Sequence, residues 1–161
     1  MSKTEGNPSM AESGARKRRS RTVPLSAYVL DDQVGFILRQ VGQRHAIIFG
    51  ARMGDDLTST QWAALAKLAE KGPCSQNLLG RHTAMDAATI KGVVDRLVKR
   101  ALVETSPDPE DGRRLVVGLT AAGAELAERL APTALAITEE TLTPLDTAER
   151  AQLLSLLQRL K

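Results

Sequence analysis

Residues Asp86 to Arg100 read DAATIKGVVDRLVKR, and the fold is decided by how this stretch is read. Ile90, Val93, Val94, Leu97 and Val98 recur at three- and four-residue spacing, the stripe of an amphipathic helix. Thr89, Lys91, Gly92, Arg96 and Lys99 fall wholly or partly on the other side. Asp86 suits the N-cap, where its carboxylate accepts from free N–H groups and meets the positive end of the helix dipole. Small Ala87, Ala88 and Gly92 allow close approach to base edges, and Thr89 and Lys91 carry donors for them. This is the pattern of a helix made for a DNA major groove.

The flanks agree. Upstream, Leu57-Thr58-Ser59-Thr60-Gln61 has the form of a capping box, with Thr58 as cap and Gln61 returning a bond to it. The helix it opens carries Trp62, Leu65 and Leu68 on its apolar side and is expected to stop near Gly72-Pro73. Ser75 is placed to cap a short helix bearing Leu78 and Leu79, and His82 to Met85 form the turn into the groove-reading helix. Two short helices followed by one with a small, basic N-terminal half make a helix-turn-helix. Downstream, Leu102–Thr105 and Leu115–Leu119 read as strands around a turn from Pro107 to Gly112, which is a wing. Arg113 and Arg114 stand beside its tip, where a guanidinium can enter a minor groove, or where Arg113 can pair with Asp111.

Outside this core the pattern stays helical. From Ser26 to Arg52, Val34, Ile37, Leu38, Val41, Ile48 and Phe49 form one stripe, longer than a small core needs. Thr120 caps a stretch with Leu126, Leu130, Leu135 and Ile137, which Pro132 should kink or interrupt. Asp146 to Glu149 resembles a second capping box, opening a helix with Leu153, Leu154, Leu156, Leu157 and Leu160. Such leucine content implies a helical layer between two subunits. The expected class is mainly α with a small β wing. Residues 1–24 are a disordered basic tail, 25–56 a dimerisation helix, 57–120 the winged helix-turn-helix and 121–161 the C-terminal dimerisation helices.

Charge must be partitioned before it argues for DNA. The chain has 161 residues and a net charge of +3, yet residues 1–24 alone hold six Lys/Arg against two Asp/Glu. The remainder is slightly acidic, and only 60–120, with nine basic against seven acidic residues, carries a local excess. DNA affinity in the body therefore rests on a few placed donors, not on bulk charge. The tail reads either as an arm on DNA or as a solubilising leader. A single cysteine, Cys74, rules out an internal disulfide and fits a reducing cytoplasm. Neither a signal peptide nor a membrane span is expected. With two histidines, no phosphate loop, no nucleophile elbow and no metal-ligand cluster, neither an enzyme nor a cofactor is expected.

The residues also carry a resemblance. Leu57-Thr58-x-x-Gln61, Gly72-Pro73-x-Ser75-Gln76-x-x-Leu79, Val94-Asp95-Arg96-Leu97-x-x-Arg100-x-Leu102-Val103, Asp108-Pro109-x-Asp111-x-Arg113 and Leu119-Thr120-x-x-Gly123 resemble the MarR family over residues 26–161. The resemblance implies a triangular homodimer whose first and last two helices form the dimer layer, each subunit offering one recognition helix and one wing. The implied DNA contacts are Ser75, Gln76, Asn77, Ala87, Ala88, Thr89, Lys91, Gly92, Arg96, Asp111, Arg113 and Arg114. Two positions depart from the family pattern. Ala101 stands where Gly is usual, so its backbone must be less left-handed or accept strain. Gly112 replaces a basic residue of the wing.

Leu38-Arg39-Gln40-x-x-Gln43-Arg44-His45, with Ser75 to Asp86 and Lys91 to Val94, is similar to regulators of aromatic-acid and especially nicotinate catabolism. That similarity implies a repressor released from a palindromic operator by a small aromatic carboxylate such as 6-hydroxynicotinate. Arg39 would meet the carboxylate and His45 a ring substituent, though a surface arginine and a hydrogen-bonded histidine fit the same positions. Trp62 reads as a pocket wall or, more commonly for an indole on an apolar stripe, as core. The competing function is an architectural or redox-controlled DNA-binding protein, the latter through Cys74 at a helix start.

Overall fold

The computed structural model describes residues 24–54, 57–108, 111 and 115–161. Six α-helices and three short strands are found among them: α1 (Val34–Met53), α2 (Ser59–Lys71), β1 (Cys74–Ser75), α3 (Gln76–His82), α4 (Ala87–Lys99), β2 (Val103–Pro107), β3 (Leu115–Leu119), α5 (Ala121–Leu142) and α6 (Thr147–Gln158). The basic segment 1–23, Asp55, Asp56, Pro109, Glu110, Gly112, Arg113 and Arg114 lie outside the described residues, and with them the expected tail and wing-tip contacts.

Helix starts fall where the capping residues placed them. Thr58 Oγ1 accepts from the Gln61 N–H at 3.2 Å, and Gln61 Oε1 accepts from the Thr58 N–H at 2.9 Å. Ser75 accepts from the Leu78 N–H, Asp86 from Thr89, Thr120 from Gly123, and Asp146 forms a full capping box with Glu149. At the end of α2, Gly72 adopts φ +78° and returns its N–H to the Leu68 carbonyl, a conformation cheap only for glycine.

Five expectations need correction. Ser26 to Gln33 is not part of the first helix: Leu25–Ala27 and Leu30–Asp32 form 3₁₀ turns, and α1 begins at Val34. These residues lack a capping side chain and bury nothing that would hold a full helix. Cys74, just ahead of the α3 N-cap Ser75, does not belong to a loop but pairs with Val117 in a third strand that was not expected, giving an antiparallel sheet of order β1-β3-β2. Pro107 belongs to β2, opposite Leu115 at its outer end, where no ladder N–H is demanded of it. Val98 is 42% exposed, at the edge of the α4 stripe and not in the core. Pro132 does not interrupt α5, which runs on to Leu142. Pro132 and Glu128 are both exposed, so water can reach the carbonyl that Pro132 leaves unbonded, while buried Leu130 and Ile137 anchor the helix on either side.

The core lies where α2, α4, the sheet and the inner face of α5 meet. Leu65, Leu97, Ile90, Val93, Val103 and Val117 are all at most 2% exposed. Gly123 lets α5 start against the end of α4, since a Cβ there would lie 1.9 Å from the Leu102 carbonyl oxygen. Ala101, next to it, has φ +55°: the left-handed corner is kept without glycine, and the strain is accepted.

The outer layer is built differently. α1 packs along α5, and Arg44 donates to the Glu140 and Thr143 carbonyls at 3.1 and 2.9 Å, joining the Thr143 N–H on the first of them at the end of α5. Arg52 pairs with Glu140. The stripe expected on α1 is buried only at Ile48 and Phe49; Val34, Ile37, Leu38 and Val41 are exposed, as is Leu135 on α5. No residue of α6 is buried within the subunit.

Candidate functional site

α4 offers the face the sequence assigned to DNA. Ala87, Ala88, Thr89, Lys91 and Arg96 are exposed and Gly92 is half-buried. The donors on it are already engaged, however. Thr89 gives its N–H to Asp86 Oδ1 at 2.7 Å and its hydroxyl to Asp86 Oδ2 at 3.0 Å. Those bonds, backbone first and side chain second, hold the Asp86 carboxyl below its ordinary range. Thr89 thus shows a lone pair and a methyl group outward. Lys91 Nζ pairs with Asp95 at 2.7 Å, one turn on. Such an exposed pair is weak enough to open for a better acceptor. Arg96 folds back toward the helix start, its Nη2 3.6 Å from where a Cβ on Gly92 would stand.

Ser75, Gln76 and Asn77 begin α3 and line a polar groove of about 940 Å³ together with Arg81, Ser106 and Asp108. This brings the α3 start and the base of the wing onto one surface. Asp111 is exposed. A second groove, of about 390 Å³, is lined by Gln61, Arg96, Lys99 and Arg100. The sequence reading did not single out Arg81, Lys99 or Arg100 as contacts; they lie toward helix C-termini, where a cation has a dipole reason to be. Cys74, half-buried, has its thiol pushed up by burial, which leaves less thiolate for oxidant chemistry.

Between the helix-turn-helix and the outer layer lies a cavity of about 400 Å³, within the range of small-molecule sites. α1 contributes His45 and Phe49, α2 contributes Trp62, and α5 contributes Ala134, Ile137 and Thr138. Trp62 is therefore both packed on the core and a wall of this space. His45 Nδ1 lies 3.0 Å from Thr141 Oγ1, and its ring is tilted at 50° to that of Phe49 with centroids 6.2 Å apart. Of the three expected ligand residues, His45 and Trp62 come together here. Arg39 does not line the cavity: it is exposed on α1, about 9 Å along the helix from His45. Periodicity marked Ile137 only as core, and nothing in the sequence pointed to Thr138 or Thr141.

The MarR family pattern matches residues 55–114. Over 147 residues the chain is 42% identical to the HTH-type transcriptional repressor NicR of Pseudomonas putida, spanning 87% of this chain and 93% of that one. The chain belongs to the MarR family. The fold agrees with that of Bordetella bronchiseptica BpsR, whose DNA binding is regulated by 6-hydroxynicotinic acid, at TM-score 0.79 and 39% identity over 83% of this chain and 96% of that one. It also agrees with a mutant Escherichia coli MarR complexed with operator DNA, at TM-score 0.73 and 25% identity over 78% and 91% of the two chains. The molecule is thus a MarR-type DNA-binding repressor and not an enzyme. No helix among the described residues is long and apolar enough to cross a membrane, and no cluster there could hold a metal ion.

Proposed function

We propose that the protein is a cytoplasmic homodimer that binds a palindromic operator and leaves it when a small aromatic carboxylate of the 6-hydroxynicotinate kind fills the cavity beside His45. The observation that carries this reading is the position of the cavity. Its walls come from α1 and α5 of the outer layer and from α2, the first helix of the DNA-binding unit. A rigid ring wedged there sets the angle between the two parts.

The exposed apolar residues of α1 and α6 support a second copy as the partner covering them. Two recognition helices related by a dyad meet successive major grooves about 34 Å apart, so a change of angle changes whether both can dock. Full reversal of occupancy asks the ligand to prefer the released form by about 5.5 kcal/mol. In this reading Ser75, Gln76, Asn77, Ala87, Ala88, Thr89, Lys91, Gly92 and Arg96, with Asp111, Arg113 and Arg114 of the wing, contact the operator. Arg39 supplies the cation for the carboxylate, since the cavity lining holds none.

The test is a thermal-shift series with nicotinate, 6-hydroxynicotinate and benzoate, paired with release of an operator-length duplex. 6-Hydroxynicotinate should raise the melting temperature and free the DNA, and Arg39→Ala should abolish both. An acid that stabilises the protein yet leaves the DNA complex intact would break the link between cavity and operator.

A further inference from the structure

Two polar side chains of this cavity, His45 and Thr138, have their hydrogens fixed by hydrogen-bonding neighbours on α5. Thr141 Oγ1 lies 2.8 Å from the Ile137 carbonyl, which can only accept, so the single hydroxyl hydrogen of Thr141 is directed there. The same oxygen lies 3.0 Å from His45 Nδ1. In that second contact Thr141 has only a lone pair to offer, and Nδ1 must carry the hydrogen. A neutral imidazole with its hydrogen on Nδ1 has a bare lone pair at Nε2. Among the described residues Nε2 has no partner, and no buried side-chain nitrogen or oxygen lacks one, so Nε2 is solvent-accessible on a residue that lines the open space. Thr138 has the same polarity, because its hydroxyl donates to the Ala134 carbonyl at 3.2 Å.

We infer that Thr141 is a positioning residue that holds His45 as the Nδ1–H tautomer, and that the cavity thereby selects aromatic carboxylates carrying a ring hydroxyl or ring N–H able to donate to Nε2. The inference rests on the reading of this cavity as the effector site. It separates acids of nearly equal size. 6-Hydroxynicotinate offers a donor in either form, O–H as the hydroxypyridine or N–H as the pyridone. Nicotinate offers only a ring-nitrogen lone pair, which meets the lone pair of Nε2, and benzoate offers nothing polar. Loss of one such hydrogen bond in a partly enclosed site corresponds to roughly tenfold in affinity.

The experiment combines calorimetric titration of the full-length protein with imidazole ¹⁵N NMR at about pH 8, where an unperturbed histidine is neutral. His45 and His82 are the only histidines, so a His82→Asn variant assigns the spectrum. Wild type should show Nδ1–H at His45 and bind 6-hydroxynicotinate roughly tenfold or more tightly than nicotinate. Thr141→Ser, which keeps the hydroxyl, should preserve both properties. Thr141→Val should shift the tautomer toward Nε2–H and bring the ratio near one, with 6-hydroxynicotinate weakened, nicotinate strengthened and benzoate affinity little changed. Nε2–H at His45 in the wild type, or a ratio untouched by Thr141→Val, overturns the role given to Thr141. If neither acid binds the wild type, the effector-site reading falls and the selectivity falls with it.

Discussion

The helix-turn-helix core and the outer helical layer solve the burial problem in opposite ways. α2, α4 and the sheet enclose Leu65, Ile90, Leu97 and Val103 within one chain and open α2, α3 and α4 with side-chain caps. α1 and α6 instead leave Val34, Ile37, Leu38, Val41, Leu154 and Leu156 open, Leu160 just beyond α6 is exposed too, and α1 starts without a side-chain cap. The first region is finished within one chain; the second is left open, and in the proposed homodimer a second copy finishes it. In that proposed homodimer stability and regulation are divided between them, the angle of the open layer being free to change while each closed region keeps its own core.

The largest effect expected from breaking this contrast is at the seam. Gly123→Ala drives a methyl group into the Leu102 carbonyl and should cost more than about 4 kcal/mol, leaving little folded protein by circular dichroism. Within the closed region, Leu97→Ala should cost about 3 kcal/mol in urea melts, independent of protein concentration. In the open region, Leu156→Glu with Leu160→Glu should instead produce a folded monomer by sedimentation; a dimer that survives both charges would place the interface elsewhere. Ala101→Gly relieves the left-handed alanine and should stabilise by about 1 kcal/mol or less, since glycine also loosens the unfolded chain.

The smallest effect concerns pH. Asp86 has its carboxyl held low by the Thr89 N–H and hydroxyl. Its contribution is therefore complete above the ordinary carboxylate pKa and is lost as pH falls toward the lower folded value. Asp86→Asn should flatten that acid limb of the stability curve slightly. An unchanged limb would show that the cap is not held as an anion.

How much of this was legible follows from the range of the interactions involved. Thr58, Ser75, Asp86, Thr120 and Asp146 each bond to a residue three positions on, so their roles could be read along the chain. The exposed side of α4, proposed to face DNA, was visible from its three- and four-residue period. β1 was not, because Cys74 pairs with Val117 across the domain and two residues carry no period. The cavity was half legible: the resemblance to aromatic-acid regulators marked His45, and Trp62 stood out as the single tryptophan, read as a wall or as core. Thr138 and Thr141 matter only because α5 lies against α1, and their spacing says nothing of that. The alanine at 101 showed that the corner would be unusual, not which way it would yield.

The Lys91–Asp95 pair bears on how the protein searches a genome. In the proposed DNA contact, a Lys91 already paired with Asp95 neutralises an arbitrary phosphate less fully and displaces fewer of the ions condensed on the DNA, so it adds little to indiscriminate adhesion. It contributes fully only where a base edge outcompetes Asp95. On that reading α4 would slide lightly over unrelated DNA, and Asp95→Ala should steepen the salt dependence of non-specific binding while narrowing the margin between operator and random duplex.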